Sequence, residues 1–219
     1  MIAGIVGILV AFLVFLLVIL FWKRKPNPTI AIPLSNFLTS QGFTPVDSSD
    51  PVIKSIRDAY SLTTYGIFIE QVYRRVGDDL TVCWLTDSHG TTNHLVAAIP
   101  KMDKNGTWVM LHLPGIKGMS GNFIRKLFGF SLSSSNLEKV ESGISGKSAT
   151  NCELYVKSGD PMPFFRDEFI NLLPQCGNII LRSTESITLV ERLSIHVTET
   201  WEQEAGELLR TANLLKTWL

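Results

Sequence analysis

The chain reads as an α+β protein: a single N-terminal transmembrane helix, then a soluble domain with a mostly antiparallel sheet. That sheet is expected as a four-stranded meander plus a β-α-β-β unit, covered by helices. Three observations predict this. The first is a 21-residue stretch, Ile2 to Trp22, with no charge and no proline. The second is a block of β-branched and aromatic runs between Ile67 and Leu113, separated by turn chemistry. The third is an apolar stripe at helical spacing from Ile195 to Leu219.

The apolar stretch comes first. At about 1.5 Å per residue it reaches about 31 Å as a helix, which matches the roughly 30 Å hydrocarbon core of a bilayer. Lys23, Arg24 and Lys25 close it. Nothing basic precedes it, and Phe21-Trp22-Lys23-Arg24 offers no small-residue cleavage site, which argues against a secretory signal. Positive charge stays on the cytoplasmic side. The expected arrangement is therefore a single pass through the cell membrane, with the N-terminus outside and residues 23 to 219 in the cytoplasm. Trp22 belongs at the headgroup level, and each of the three basic residues gains about 1 kcal/mol from anionic lipid.

The chain then divides into three parts. Residues 1–25 are the anchor and basic stop. Residues 26–32 are a linker stiffened by Pro26 and Pro28. Residues 33–219 are the α+β domain, with a lobe boundary expected in the Ser/Gly-rich stretch 131–151.

Composition narrows the function classes. Lys plus Arg is 20, Asp plus Glu is 20, and the formal net charge is +0. A nucleic-acid partner calls for a basic excess or stripe, so none is expected. An aromatic content of 10% belongs to a packed core, not to a disordered tail. Cys83, Cys152 and Cys176 are odd in number and widely spaced, as reduced thiols are. Asn105-Gly106-Thr107 fits the glycosylation acceptor pattern, but on the cytoplasmic side it reads as a turn.

The elements follow in order. Pro33 to Leu38 opens a short helix that stops at Gly42. Asp50 caps a second, with Pro51 in its first position, Ile53 and Ile56 on one face, and its end near Tyr60. The meander strands are Ile67–Val76, Leu80–Thr86, His94–Ile99 and Trp108–Leu113. Gly115, Gly118 and Gly121 lead into a helix over Asn122–Phe130. Glu153–Val156 is a strand. Asp160 caps a helix carrying Phe164, Phe165, Phe169, Ile170 and Leu173, closed by Pro174 and Gly177. Asn178–Leu181 and Ile187–Val190 form a hairpin. The last helix sets Val197, Trp201, Ala205, Leu208, Ala212, Leu215 and Leu219 on one stripe, with Glu199, Glu202, Glu204 and Glu207 in its early turns, where the helix dipole favours anions.

Candidate chemistry is sparse. His89, His94 and His112 lack short ligand spacing and an orienting carboxylate, so neither a metal nor a cofactor is expected. Gly118-Met119-Ser120-Gly121-Asn122 approaches a nucleophile elbow, but Asn122 replaces the final glycine. Ser88 beside His89 makes no triad, since those partners must converge from different segments. Ser120, Ser88 and His89 are the catalytic candidates of a rival reading, a membrane-tethered serine-type hydrolase. The glycines at 115, 118 and 121 precede Arg125 and Lys126 at a helix start, where anions bind, but they match neither the Walker nor the dinucleotide pattern. Phe123 to Phe130 mixes aromatic and basic residues as an interfacial helix does, and core packing of Phe123 and Leu127 accounts for it as well. Trp201, Leu208, Leu215 and Trp218 either cover their own sheet or offer a face to a partner, since tryptophans anchor interfaces.

Polar residues fall in turns and caps, not in convergent sets. The sequence therefore points to a non-enzymatic, membrane-anchored scaffold or accessory subunit. Its expected partners are the lipid bilayer and another membrane or peripheral protein. Beside the hydrolase stands one more alternative, a lipid- or small-ligand-binding domain.

Overall fold

Strand order is where the sheet departs from chain order. In a computed structural model the described residues are 28–62, 66–87, 93–101, 106–114, 126, 132, 135–140, 152–193 and 200–218. They hold one sheet of nine strands, all pairs antiparallel, in the order β1-β2-β3-β4-β9-β8-β5-β7-β6. The strands are β1 Phe43–Pro45, β2 Ile67–Arg75, β3 Thr81–Asp87, β4 Asn93–Pro100, β5 Thr107–His112, β6 Glu138–Val140, β7 Cys152–Ser158, β8 Ile179–Ser183 and β9 Ile187–Arg192. The helices are α1 Pro28–Ser40, α2 Pro51–Tyr60, α3 Asp167–Cys176 and α4 Trp201–Lys216, with a 3-10 turn at Met162–Phe164. The α+β class with a large antiparallel sheet and helices is as expected.

The finer topology needs correction. The meander has three strands, β2-β3-β4, not four. The free side of β4 is taken by β9, with Val96↔Glu191 and Pro100↔Ile187 in register, so β5 lies beyond the β8–β9 hairpin. The β-α-β-β unit is split as well: its β8–β9 hairpin pairs as expected, but β7 and β8 flank β5 on its two sides, and α3 carries the chain across it. The physical reason is burial on both faces. In β3, β4, β5, β8 and β9 almost every position is buried. A strand covered on both faces shows a continuous apolar run in place of alternation, and such a run does not identify its neighbours.

One face carries α1, α3 and α4. Leu34, Leu38, Phe169, Leu208 and Leu215 pack there on Trp84, Trp108, Met110 and Leu181. The other face carries α2, whose Ile53, Ile56 and Tyr60 pack on Cys83, Leu85, Val96 and Leu189. Further along the same sheet Leu62, Leu132 and Leu137 pack with Val109, Leu111 and Ile180.

Three boundaries differ from expectation. The first helix begins at Pro28, not Pro33, so residues 28–32 are helical. Proline suits a first turn, and burial of Ile30 ties that turn to the core. Pro174 lies inside α3, which runs on to Cys176 before Gly177 at φ +68°. The last helix starts with a capping box: Thr200 Oγ1 accepts from the Gln203 N–H at 3.3 Å, and Gln203 Oε1 accepts from the Thr200 N–H at 3.0 Å.

Candidate functional sites: a buried charge cluster and an edge trough

Several residues singled out in the sequence lie outside the described residues: the span Ile2–Trp22, the stop Lys23, Arg24 and Lys25, and the candidates Ser88, His89 and Ser120. The same holds for the Asn122–Phe130 helix apart from Lys126. Among the described residues no helix is long and apolar enough to cross a membrane, and no His/Cys/Asp/Glu group could hold a metal ion. His94 and His112 stand on opposite faces of the sheet. On α4, Leu208 and Leu215 are buried in their own domain, Trp201 packs against the same core, and Trp218 is 36% exposed.

The first convergent set was not anticipated. Arg182 on β8, Glu191 on β9 and His94 on β4 project toward α2 from three adjacent strands. Arg182 and Glu191 are each 3% exposed. The Arg182 guanidinium donates to Glu191 Oε2. His94 Nδ1 lies 3.0 Å from Glu191 Oε1. Tyr60, the last residue of α2, donates its hydroxyl to Glu191 Oε2 at 3.3 Å and lays its ring 4.5 Å from the Arg182 guanidinium carbon. Burial by itself would raise the Glu191 pKa. The Arg182 charge and the His94 hydrogen bond outweigh it and hold the carboxyl well below the usual carboxylate range. Burial, then the Glu191 charge, push the Tyr60 phenol well above its ordinary value. At neutral pH neither group is tuned for proton transfer, which calls for a pKa near the working pH. The cluster joins three strands to α2 as a tie. The sequence did carry a signal for it: Arg182 follows the apolar run Ile179–Leu181, and Glu191 follows the apolar pair Leu189–Val190.

His112 is the counterpart on the three-helix face. It is 1% exposed, and neither ring nitrogen has a hydrogen bond of ordinary geometry. Burial lowers its pKa to about 4, offset only in part by the Leu173 backbone on α3. Cys152 stands directly opposite it on β7. Burial pushes the Cys152 thiol up to about 12 and the Cys176 thiol up to about 11, and Cys83 higher still. None of the three has the lowered pKa of a reactive thiol.

The second site is a trough at the sheet edge. β1 covers only the last part of β2, pairing Phe43–Pro45 with Arg75–Tyr73. After Val46 the chain turns away. Asp50 then caps α2 by accepting from the Val52 N–H at 2.9 Å, and takes Arg74 in a two-pronged ion pair at 2.8 and 3.0 Å. The rest of β2, Ile67 to Gln71, has no outer neighbour strand among the described residues. A β-bulge at Glu70 breaks the register with β3. The edge floors an open trough of about 330 Å³. Ser35 of α1 is on one wall, and Val46, Ser48 and Ile53 are on the other. Phe68, 50% exposed, stands on the same strand just before the bulge. A smaller groove of about 140 Å³ lies between Val52, Arg74, Thr81 and Ile187. No member of the charge cluster lines either groove.

Comparison with known proteins adds little to this geometry. No protein-family model matches the chain, and no curated protein matches it. Among solved structures, the chain is similar to the crystal structure of the mycobacterial trehalose monomycolate transport factor A, TtfA. The identity is 15% and the TM-score 0.48, over 88% of this chain and 98% of that one.

Proposed function

We propose that this chain is a non-enzymatic interaction domain moored to the cytoplasmic face of the cell membrane by Ile2–Trp22, with the β2 trough as its docking site for a partner protein. The observation that carries the reading is the edge from Ile67 to Gln71, which no strand among the described residues pairs with, lying between α1 and the segment that leads into α2. Position supports it too. α1 begins at Pro28, three residues after Lys25. An extended chain spans at most about 3.6 Å per residue, so the start of α1 lies within about 11 Å of the basic stop. A partner bound in the trough is thereby kept close to the bilayer, at the high effective concentration that tethering gives. The convergent polar set supports the non-enzymatic part, because its members are occupied with one another.

The test is a photo-crosslinking amino acid at Gln71 of the full-length chain in its native membranes, with Glu138 on the opposite edge as control. Discrete protein adducts from Gln71 and none from Glu138 are expected. Adducts to lipid alone would favour the lipid-binding alternative. Covalent labelling of Ser120 or Ser88 by a fluorophosphonate would favour the hydrolase. Protease added to intact cells should leave residues 28–219 uncut, and cleavage there would overturn the orientation.

A further inference from the structure

We infer that the occupant of the trough is an extended segment of the partner protein, added to the sheet as one more strand along the outer edge of β2; this rests on the docking reading above. Backbone direction carries the inference. The Val46 N–H donates to Val72 O at 2.9 Å, so the Val72 backbone faces outward. The Arg75 N–H donates to Leu80 O at 2.9 Å, so alternate residues face β3. Backbone direction alternates along an antiparallel strand, and the bulge at Glu70 resets it once. Ile69 is opposite Leu85, which lies on the alternation of β3 residues that turn their backbone to β4, so Ile69 directs its N–H and C=O outward, and Ile67, two residues earlier, does the same. A row of outward backbone groups is a template that only another extended chain completes. β1 already begins such a strand, and a guest takes up the line where Val46 leaves it.

The walls specify the guest. Its side chains alternate between two faces. One face meets Ser35, Gln71 and Tyr73, which offer hydroxyl and amide groups. The other meets Val46, Ile53 and Ile69, which are apolar, with Ser48 as the one hydroxyl on that side. Glu70 is the one charged residue among the described lining, and its Oε1 accepts from the Thr86 hydroxyl at 2.9 Å. The guest is therefore a short segment alternating β-branched or other apolar residues with Ser, Thr, Asn or Gln. The bulge and the three-residue β1 shorten the free edge, which disfavours long flat pairing between copies of this chain.

The experiment pans phage displaying random linear peptides against the full-length chain in detergent micelles. Enrichment of peptides with that alternation is expected. Their binding should slow amide exchange at Ile67 and Ile69 at least tenfold and leave Lys139 on the far edge unchanged. Ser35→Phe, which fills the trough, and Ile69→Pro, which removes one outward N–H, should each weaken binding at least tenfold, while Ile69→Val keeps it. If Ile69→Pro fails to fold by circular dichroism, Ser35→Phe decides. The inference is overturned by no enrichment, by protection elsewhere, by binding indifferent to the variants, or by a dimer joined through β2. A protein that cross-links to Gln71 without protecting the Ile67 and Ile69 amides overturns the added strand and leaves the docking reading intact.

Discussion

The two faces of this sheet each bury a titratable group, and they handle the loss of water in opposite ways. Under α2, Glu191 keeps its charge because Arg182, His94 and Tyr60 surround it. Under α3, His112 has no such company and stays neutral. Taking an ion out of water costs several kcal/mol even after relaxation, so it must find a counter-charge or give the charge up. The sheet uses both solutions within a few strands. The difference teaches that burial alone does not fix protonation; the neighbouring strands decide it. It also predicts that the two sites fail under different insults, one to loss of a partner and the other to acid.

The largest effect should come from breaking the α2-face cluster. Arg182→Met leaves Glu191 buried without its main counter-charge, and removal of one member of a buried pair costs about 3–5 kcal/mol. Arg182→Met combined with Glu191→Leu should recover most of that loss, since an apolar replacement of the whole pair is often neutral. Urea titration of the full-length chain in detergent measures both. A single substitution that costs less than about 1 kcal/mol would dissolve the contrast between the faces.

Next in size is the acid response of His112. Its folded pKa, about 4, lies below its ordinary 6.5. Between these values the unfolded chain binds more protons than the folded one. The contribution is therefore complete above pH 6.5 and falls away as the pH drops toward 4, by up to about 3 kcal/mol over that window. His112→Leu should flatten that part of the stability profile. Glu191 acts in a lower window, because its stabilisation is present above its ordinary 4.5 and is lost only as the pH falls below that. A profile of His112→Leu that parallels the parent between pH 6.5 and 4 would remove the assignment. A smaller loss, about 1 kcal/mol, is expected for His94→Leu, which deletes one hydrogen bond to a charged acceptor at a side chain that is 31% exposed.

How much of this could be read from the residues alone differs between the elements and the sites. Helix α2 could be read in full, because Asp50 and Pro51 are local start signals and Ile53 and Ile56 mark one face. Seven of the nine strands could be located, because β-branched and aromatic runs ended at turn residues such as Gly77-Asp78-Asp79 and Asn105-Gly106; β1 and β6, three residues each, are too short to show such a run. Strand neighbours could not be read, because the β8–β9 hairpin enters between β4 and β5 through contacts far apart in sequence. The charge cluster was missed for the same reason: His94, Arg182 and Glu191 converge only once β4, β9 and β8 lie side by side. The trough is legible only as a missing neighbour beside β2, which depends on where β1 stops.

The finest distinction between the faces is whether acid opens the whole domain or only the part around His112. The three cysteines report on it. Cys83 lies in the α2-face core, while Cys152 stands opposite His112 and Cys176 ends α3 on the three-helix face. All three are buried free thiols, so each reacts only when its surroundings open. A dithiopyridine reagent, which remains active in mild acid, can therefore time each opening by mass spectrometry. Protonation of His112 destabilises what packs on it first, so α3 should loosen before α2. From pH 7 to pH 5, labelling of Cys152 and Cys176 should accelerate severalfold more than labelling of Cys83, and His112→Leu should abolish the difference. Equal acceleration at all three thiols would mean that the sheet and its helices open as a single cooperative unit, and that the orphan imidazole weakens both faces alike.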